Sequence, residues 1–227
     1  MFSKEQFYRL RDRMVEQQLR RRDIIDPLVL HAMRLTPRHH FVPPARRTTA
    51  YDDRAFLLGS GQMLPTPYLV ATMTQLLGLN GGERVLEIGT GCGYQTTLLC
   101  EIAGYVYTLE CDPLLAAQTI EQILALGYEN FDLHVGDASQ GLADMAPFDA
   151  ILVTAAMPRI PGPLVGQLNP VGGCLVLPVG DRHHQRLCVV QRFGDRCKIK
   201  QGADVRFLPL NGRYGFRAND DKPSLKR

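Results

Sequence analysis

The residues best spaced for chemistry lie in VLEIGTGCGY, residues 85–94. An apolar run leads directly into glycines 89, 91 and 93. Glycine permits a tight turn and a close approach of backbone to ligand. Glu87 stands inside the apolar run, where an acid needs a partner. It either holds the amides of the following loop or faces the cationic end of a bound group. Glu110 closes the next apolar run, about twenty residues after the glycines, where a carboxylate can accept from both hydroxyls of a ribose. Asp137, in VGDA, follows a third run and is placed to accept from an adenine amine, with a turn cap as the plainer role. A dinucleotide fingerprint would place glycine at position 94, which is Tyr94 here. The spacing therefore points away from a pyrophosphate and toward a cofactor with adenosine, ribose and no phosphate.

The elements around these residues alternate as positioning them requires. Residues 4–22 predict an amphipathic helix with Phe7, Leu10, Met14 and Leu19 near one face. Asp26-Pro27 and Thr66-Pro67 each read as a cap followed by a first-turn proline, opening helices through Met33 and Leu77. Residues 45–65 lack periodicity but carry Tyr51, Phe56, Leu57 and Leu58, so they predict a long ordered loop. Strands are expected at 84–88, 106–109, 131–135 and 150–154, with helices at 95–103 and 113–126 between the first three. Further strands are expected at 174–179, 187–193 and 205–208. This is an α/β, Rossmann-like, doubly wound, mostly parallel seven-stranded sheet with an N-terminal helical extension. Residues 1–66 are read as N-terminal helices and acceptor loop packed on the core. Residues 67–212 form the cofactor domain, and 213–227 a flexible tail. S-adenosylmethionine fits the turn and its acids, because its sulfonium is positive.

Composition narrows the function classes. The 227 residues are 45% hydrophobic and 22% charged, with a formal net charge of +3. That balance is ordinary for a globular enzyme and too weak to imply nucleic acid. Arginines crowd residues 9–22, which reads first as a solvated helix face and second as a surface for an acidic partner. Six cysteines form no CxxC pair, and no Cys/His group has zinc spacing, so no metal is expected. Without an apolar leader or an apolar run of membrane-spanning length, a cytoplasmic location is expected and no membrane partner. His39 and His40 read as structural. A monomer is favoured over an oligomer.

In order and spacing, a series of segments resembles the protein-L-isoaspartate O-methyltransferase family. They are MVEQQL at 14–19, DPLVLHAM at 26–33, PRHHFVP at 37–43, AYDD at 50–53, GSGQ at 59–62, VLEIGTGCGYQTTLL from 85, LGYEN at 126–130, VGDASQG at 135–141, PFDAILVTAA at 147–156 and VRFLPLNG at 205–212. The resemblance implies methyl transfer from S-adenosylmethionine to the free α-carboxylate of L-isoaspartyl residues in damaged proteins or peptides. The methyl ester then closes to a succinimide that can open to normal aspartate. It further implies that Glu87, Gly89, Thr90, Gly91 and Gly93 line the cofactor, that Glu110 holds its ribose, and that Asp137 and Ala138 lie by the adenine. It also implies an unusual order for the last strands.

One departure falls on the acceptor side. The family loop carries threonine and serine where this chain has Met63 and Pro65, in GQMLPTP at 61–67. Proline offers neither hydroxyl nor amide hydrogen. Thr66 could supply a hydroxyl from the next position, or serve only as a helix cap. Gln62, Thr66, Thr154 and Arg206 are the candidate acceptor residues, Arg206 as a bidentate fork for a carboxylate. The alternatives are a carboxyl methyltransferase for another protein or peptide, and a cofactor-binding protein that has lost turnover. A nucleic-acid methyltransferase is disfavoured, because the stretch after the fourth strand reads TAAMPRIP.

Overall fold

The fold follows from caps that start helices and apolar runs that pair as strands. The computed structural model describes residues 2–217. Helix α1 (Lys4–Met14) opens on a capping box. Ser3 Oγ accepts from the Gln6 amide while the Gln6 side chain accepts from the Ser3 amide. The helix expected over 4–22 continues to Leu19, but α1 passes into a π-helical turn, Val15–Leu19. The widened turn lets Met14, Val15 and Leu19 all reach the core. Helices α2 (Pro27–Leu35) and α3 (Pro67–Leu77) start as expected, on Asp26 and Thr66, whose side chains accept amide bonds from the first turn. Between them the loop folds into a two-residue hairpin, β1 (Phe56–Leu57) against β2 (Met63–Leu64).

The central sheet comprises β3 (Arg84–Ile88), β4 (Tyr105–Glu110), β5 (Phe131–Val135), β6 (Ala150–Val153), β7 (Val171–Gly180), β8 (Gln185–Phe193) and β9 (Arg196–Val205). Their spatial order is β5-β4-β3-β6-β7-β8-β9. The first five of these neighbours are parallel and the last two pairings are antiparallel. Helices α4 (Tyr94–Cys100) and α5 (Pro113–Ala125) connect β3 to β4 and β4 to β5, and the short α6 (Gly162–Gly166) precedes β7. The chain moves outward from β3 through β5 and then returns to the other side of β3 with β6. That reversal opens a crevice at the carboxyl ends of β3 and β6, where ligands bind in such sheets.

Alternating side chains feed two cores. Val85, Val106, Leu152 and Val176 face the layer that holds α1–α5. Leu86, Ile88, Ile151 and Leu175 face the other layer, covered by α6 and the turns after Asp137. The N-terminal residues belong to the first core: Leu19, Ile24 and Met33 share it with Val85 and Leu98.

Two expectations near the C-terminus are corrected. The last strand is β9, not 205–208. A Gly194-Asp195 turn reverses β8 at once, and β9 is too exposed to show an apolar pattern. Residues 213–217 are packed rather than frayed. The amides of Arg213 and Tyr214 donate to Asp137 and Ser139, and Phe216 is buried in the first core. Residues 218–227 of the expected tail lie outside the described residues. Among the described residues no helix is long and apolar enough to cross a membrane.

Phe216→Ala should therefore lower the unfolding free energy by about 3–5 kcal/mol, the usual cost of truncating a buried phenylalanine. Urea unfolding followed by circular dichroism measures it, and a loss below about 0.5 kcal/mol, typical of a surface position, would show that this segment contributes no packing.

Candidate active site

The crevice holds a cavity of about 420 Å³. Its floor is the turn between β3 and α4. The amides of Gly89 and Thr90 both donate to the Leu109 carbonyl at 2.9 and 3.2 Å, which ties the turn to β4. Gly89 has φ +94°, and a Cβ there would lie 2.7 Å from Thr154 Oγ1. Gly93 has φ +83°, and a Cβ there would lie 2.7 Å from Thr119 of α5. Gly89 and Gly91 line the cavity, whereas Gly93 does not: it lets α4 pack against α5.

Glu87 lies beneath the turn and does not line the cavity. It is fully buried. Its Oε2 accepts from Thr96 Oγ1 at 2.5 Å and Thr108 Oγ1 at 2.8 Å, and Thr108 in turn meets Thr90 Oγ1 at 2.7 Å. Among the described residues its Oε1 has no hydrogen-bond partner. Burial pushes the carboxyl up to about 8; the two threonine hydroxyls oppose the shift and the charge of Glu110 adds to it. Glu87 thus joins β3, β4, α4 and the turn through hydroxyls, instead of holding loop amides or facing a ligand.

Glu110 lines the cavity at the end of β4. Its Oε1 accepts from the amides of Cys111 and Asp112 at 2.8 and 3.1 Å, and Oε2 accepts from the Gly91 amide at 2.9 Å. With one bond at Oε2, that oxygen keeps acceptor capacity toward the cavity. Asp137 does not line the cavity; Ala138 does. Burial works against the charge of Asp137, but bonds from Ser139, the Arg213 amide and Gln140 outweigh it and hold the carboxyl below the usual range. Its observed work is to cap the turn Ala138–Gln140 and anchor residue 213.

The acceptor candidates separate in the same way. Gln62 lines the cavity, with Oε1 4.0 Å from the position of a Cβ on Gly91, so the hairpin tip leans over the glycine turn. Thr154 also lines it, but its hydroxyl donates to the carbonyls of Gly89 and Ile88 at 2.6 and 3.0 Å. Thr66 Oγ1 accepts from the Leu69 amide and caps α3, outside the cavity lining. Pro65 and Met63 line the cavity. Arg206 is exposed and away from the cavity, because the chain around it leaves β9 with Phe207 turned inward. His39 is structural: it stacks on Phe7 with ring centroids 3.9 Å apart and meets Tyr51 Oη at 2.6 Å. Burial, with help from His40, Arg11 and Arg47, lowers its pKa to about 4.

Sequence reasoning missed the wall formed by residues 207–211. The Ala156 amide donates to Leu208 O and the Leu210 amide to Ala156 O, so this segment clips onto the chain just beyond β6. Pro209, inside an apolar run, was the available signal. Asp112, Cys111 and Leu115 at the start of α5 were also missed as cavity residues.

The residues fit S-adenosylmethionine. Gly91 presents an open backbone position to the cavity, Glu110 retains an acceptor at the end of β4, and the lining carries no lysine or arginine for a phosphate. Among the described residues, no group of three or more His, Cys, Asp or Glu could hold a metal ion.

Comparisons with known proteins agree with this geometry. Residues 9–215 match the family model described as Protein-L-isoaspartate(D-aspartate) O-methyltransferase. The chain is 48% identical over 208 residues to Protein-L-isoaspartate O-methyltransferase of Picosynechococcus sp., covering 91% of this chain and 93% of that protein. It is 47% identical over 210 residues to Protein-L-isoaspartate O-methyltransferase 1 of Syntrophobacter fumaroxidans, covering 92% and 98%. A solved protein-L-isoaspartate O-methyltransferase structure superposes with a TM-score of 0.76 at 22% identity, covering 93% of this chain and 66% of that one, a likeness of fold.

The buried acid gives a test by pH. Its native pKa, about 8, lies above the ordinary 4.5. Its contribution to stability is therefore full below about pH 4.5 and is lost as pH rises through about 8, at up to about 1.4 kcal/mol per pH unit. Glu87→Gln keeps an oxygen for the threonines and removes the titration. Urea unfolding from pH 5 to pH 8 should show the variant gaining on the wild type as pH rises. A difference that stays constant across that range would mean Glu87 is not held protonated.

Proposed function

The chain belongs to the protein-L-isoaspartate O-methyltransferase family, and from that premise we propose that its acceptor is the free α-carboxylate of L-isoaspartyl residues in proteins or peptides. It is an S-adenosylmethionine-dependent O-methyltransferase. The observation that carries the proposed acceptor is the arrangement of the cavity. A glycine turn and Glu110 form one side, and the hairpin tip with Gln62, Met63 and Pro65 closes the other. When bound, S-adenosylmethionine supplies an electrophilic methyl group on a positively charged sulfur.

The chain's own residues have limited work to do. Gly89 and Gly91 allow the backbone to approach, Glu110 would accept from the ribose, and Ala138 would lie by the adenine. Gln62 orients the acceptor carboxylate, and Thr154 stiffens the turn by bonding its carbonyls. The transfer would break one carbon–sulfur bond as it forms one carbon–oxygen bond, with no proton to move. A carboxylate with a pKa near about 4 is already ionised at neutral pH, so no general base is required. Catalysis rests on holding acceptor and methyl in line. Residues 1–66 act as the acceptor side and 67–212 as the cofactor side of one enzyme, working as a cytoplasmic monomer.

A second reading, another protein or peptide carboxylate, is favoured by one observation. Thr66 caps α3 and lies outside the cavity lining, and Pro65 has no hydroxyl, so neither supplies one to this wall.

Labelled S-adenosylmethionine with an isoaspartyl peptide and its aspartyl twin separates these readings. We expect base-labile label on the isoaspartyl peptide at least about tenfold above the twin, since a site that pairs a specific polar group discriminates strongly. Label confined to some other carboxyl acceptor would establish the second reading, and cofactor binding without any label would remove both. The same assay should give kcat/KM nearly flat from pH 6 to pH 8. A steep rise with pH would point to an acceptor that must lose a proton, and so to an amine or alcohol.

A further inference from the structure

Just behind the cavity wall lies a cation with no acid. Arg38, in the turn Arg38–His40, is fully buried. Its Nε donates to Ala50 O at 2.9 Å and its Nη2 to Pro65 O at 2.6 Å, with a longer contact of 3.5 Å to Arg54 O. The guanidinium lies 5.0 Å from the Tyr94 ring centroid and 5.9 Å from that of Phe56. Among the described residues no carboxylate forms an ion pair with it. Desolvating a charge without an opposite charge is costly. A residue that only filled space here would be apolar. What arginine adds is a rigid fork of donors that can hold several carbonyls in one fixed arrangement.

Pro65 is the carbonyl that matters, because it is the only one of the three whose residue lines the cavity. Its φ is locked by the proline ring. A hydrogen bond that fixes the direction of its carbonyl fixes ψ as well. Thr66 then caps α3, and Pro67 locks the next φ. The proline rings fix φ at 65 and 67, and among the described residues Arg38 holds the Pro65 carbonyl from outside this stretch.

We propose that Arg38 is a positioning residue for methyl transfer, setting the acceptor wall at Pro65 through that residue's carbonyl. As a statement about the acceptor it rests on the isoaspartyl reading above. Arg38 does not line the cavity, so it acts through the residues it holds. In-line displacement is sensitive to such placement: a shift of about 1 Å can cost about a hundredfold in rate. In this chain the wall contributes shape where a hydroxyl is missing, and shape must be held.

The test is Arg38→Lys, which keeps the charge but loses the planar fork whose separate nitrogens reach Ala50 O and Pro65 O. We expect affinity for S-adenosylhomocysteine, measured by calorimetry, to stay within about twofold. We expect kcat/KM for the isoaspartyl peptide to fall at least about tenfold, mainly through kcat, with faster amide exchange over residues 57–66. Unchanged peptide kinetics and exchange would overturn the proposal. So would parallel losses of cofactor-product affinity and peptide turnover, which indicate general loss of fold. If the lysine variant does not fold, Pro65→Gly frees the torsion at the same carbonyl without touching the guanidinium and must show the same split. If the wild type methylates no isoaspartyl peptide, the functional reading fails, and the exchange comparison still decides whether Arg38 clamps the wall.

Discussion

The site depends on one buried carboxyl group under a turn. Glu87 sits opposite Thr108 in the β3–β4 register, and Thr96 of α4 reaches the same oxygen. Thr90, the residue between the first two glycines, is joined to this group through Thr108. Strand, turn, helix and neighbouring strand are thereby locked together by hydroxyls around one acid. An ionised carboxylate at this depth would be severely destabilised, and burial resolves the problem by keeping the proton on. The same hydroxyls would be wasted in an apolar core. Their presence identifies the turn as a feature that must be held in place.

Above this platform the three glycines divide the labour. Gly89 makes room for Thr154, whose hydroxyl fastens the turn from the β6 side. Gly91 faces the cavity and gives its amide to Glu110. Gly93 lets α5 come close to α4, which brings Asp112 and Leu115 at the start of α5 to the cavity rim. A spacing that reads as one motif thus serves clearance, ligand approach and helix packing at successive positions.

The strand–turn–helix frame was legible in the sequence because its signals are local. Apolar runs, cap-proline pairs and glycines each act over a few residues, and the parallel core strands and their helices lie close to where those signals put them. The functional site was legible only in part. Glu110, Gly91 and Ala138 reach the cavity, but Glu87 and Asp137 spend their oxygens on threonines and turn amides. An acid at the end of a strand looks the same in sequence whether it faces ligand or protein. Arg206 and the wall at 207–211 were exchanged for the same reason. The direction of that segment is set by its bonds to Ala156, fifty residues earlier, and no local pattern encodes such a partner. The resemblance to a family supplied the chemistry, and side-chain direction had to come from the fold.

The N-terminal segment shows why the acceptor side cannot be separated from the cofactor side. Gln18 donates to the Tyr51 carbonyl, His39 meets the Tyr51 hydroxyl, and Arg38 grips the carbonyls of Ala50 and Pro65. At its other face Arg38 lies against Tyr94, the first residue of α4 and the position where a dinucleotide motif would need glycine. Tyr94 is itself fully buried and packs edge-on to Phe41. The side chain that departs from the pyrophosphate fingerprint is therefore the one that seats the N-terminal arginine. The substitution does two things at once. It shapes the floor for a cofactor without phosphate, and it gives the acceptor loop a fixed point on the cofactor domain. Methyl transfer needs both halves in one frame, and a tyrosine between arginine and glycine turn provides the shared reference.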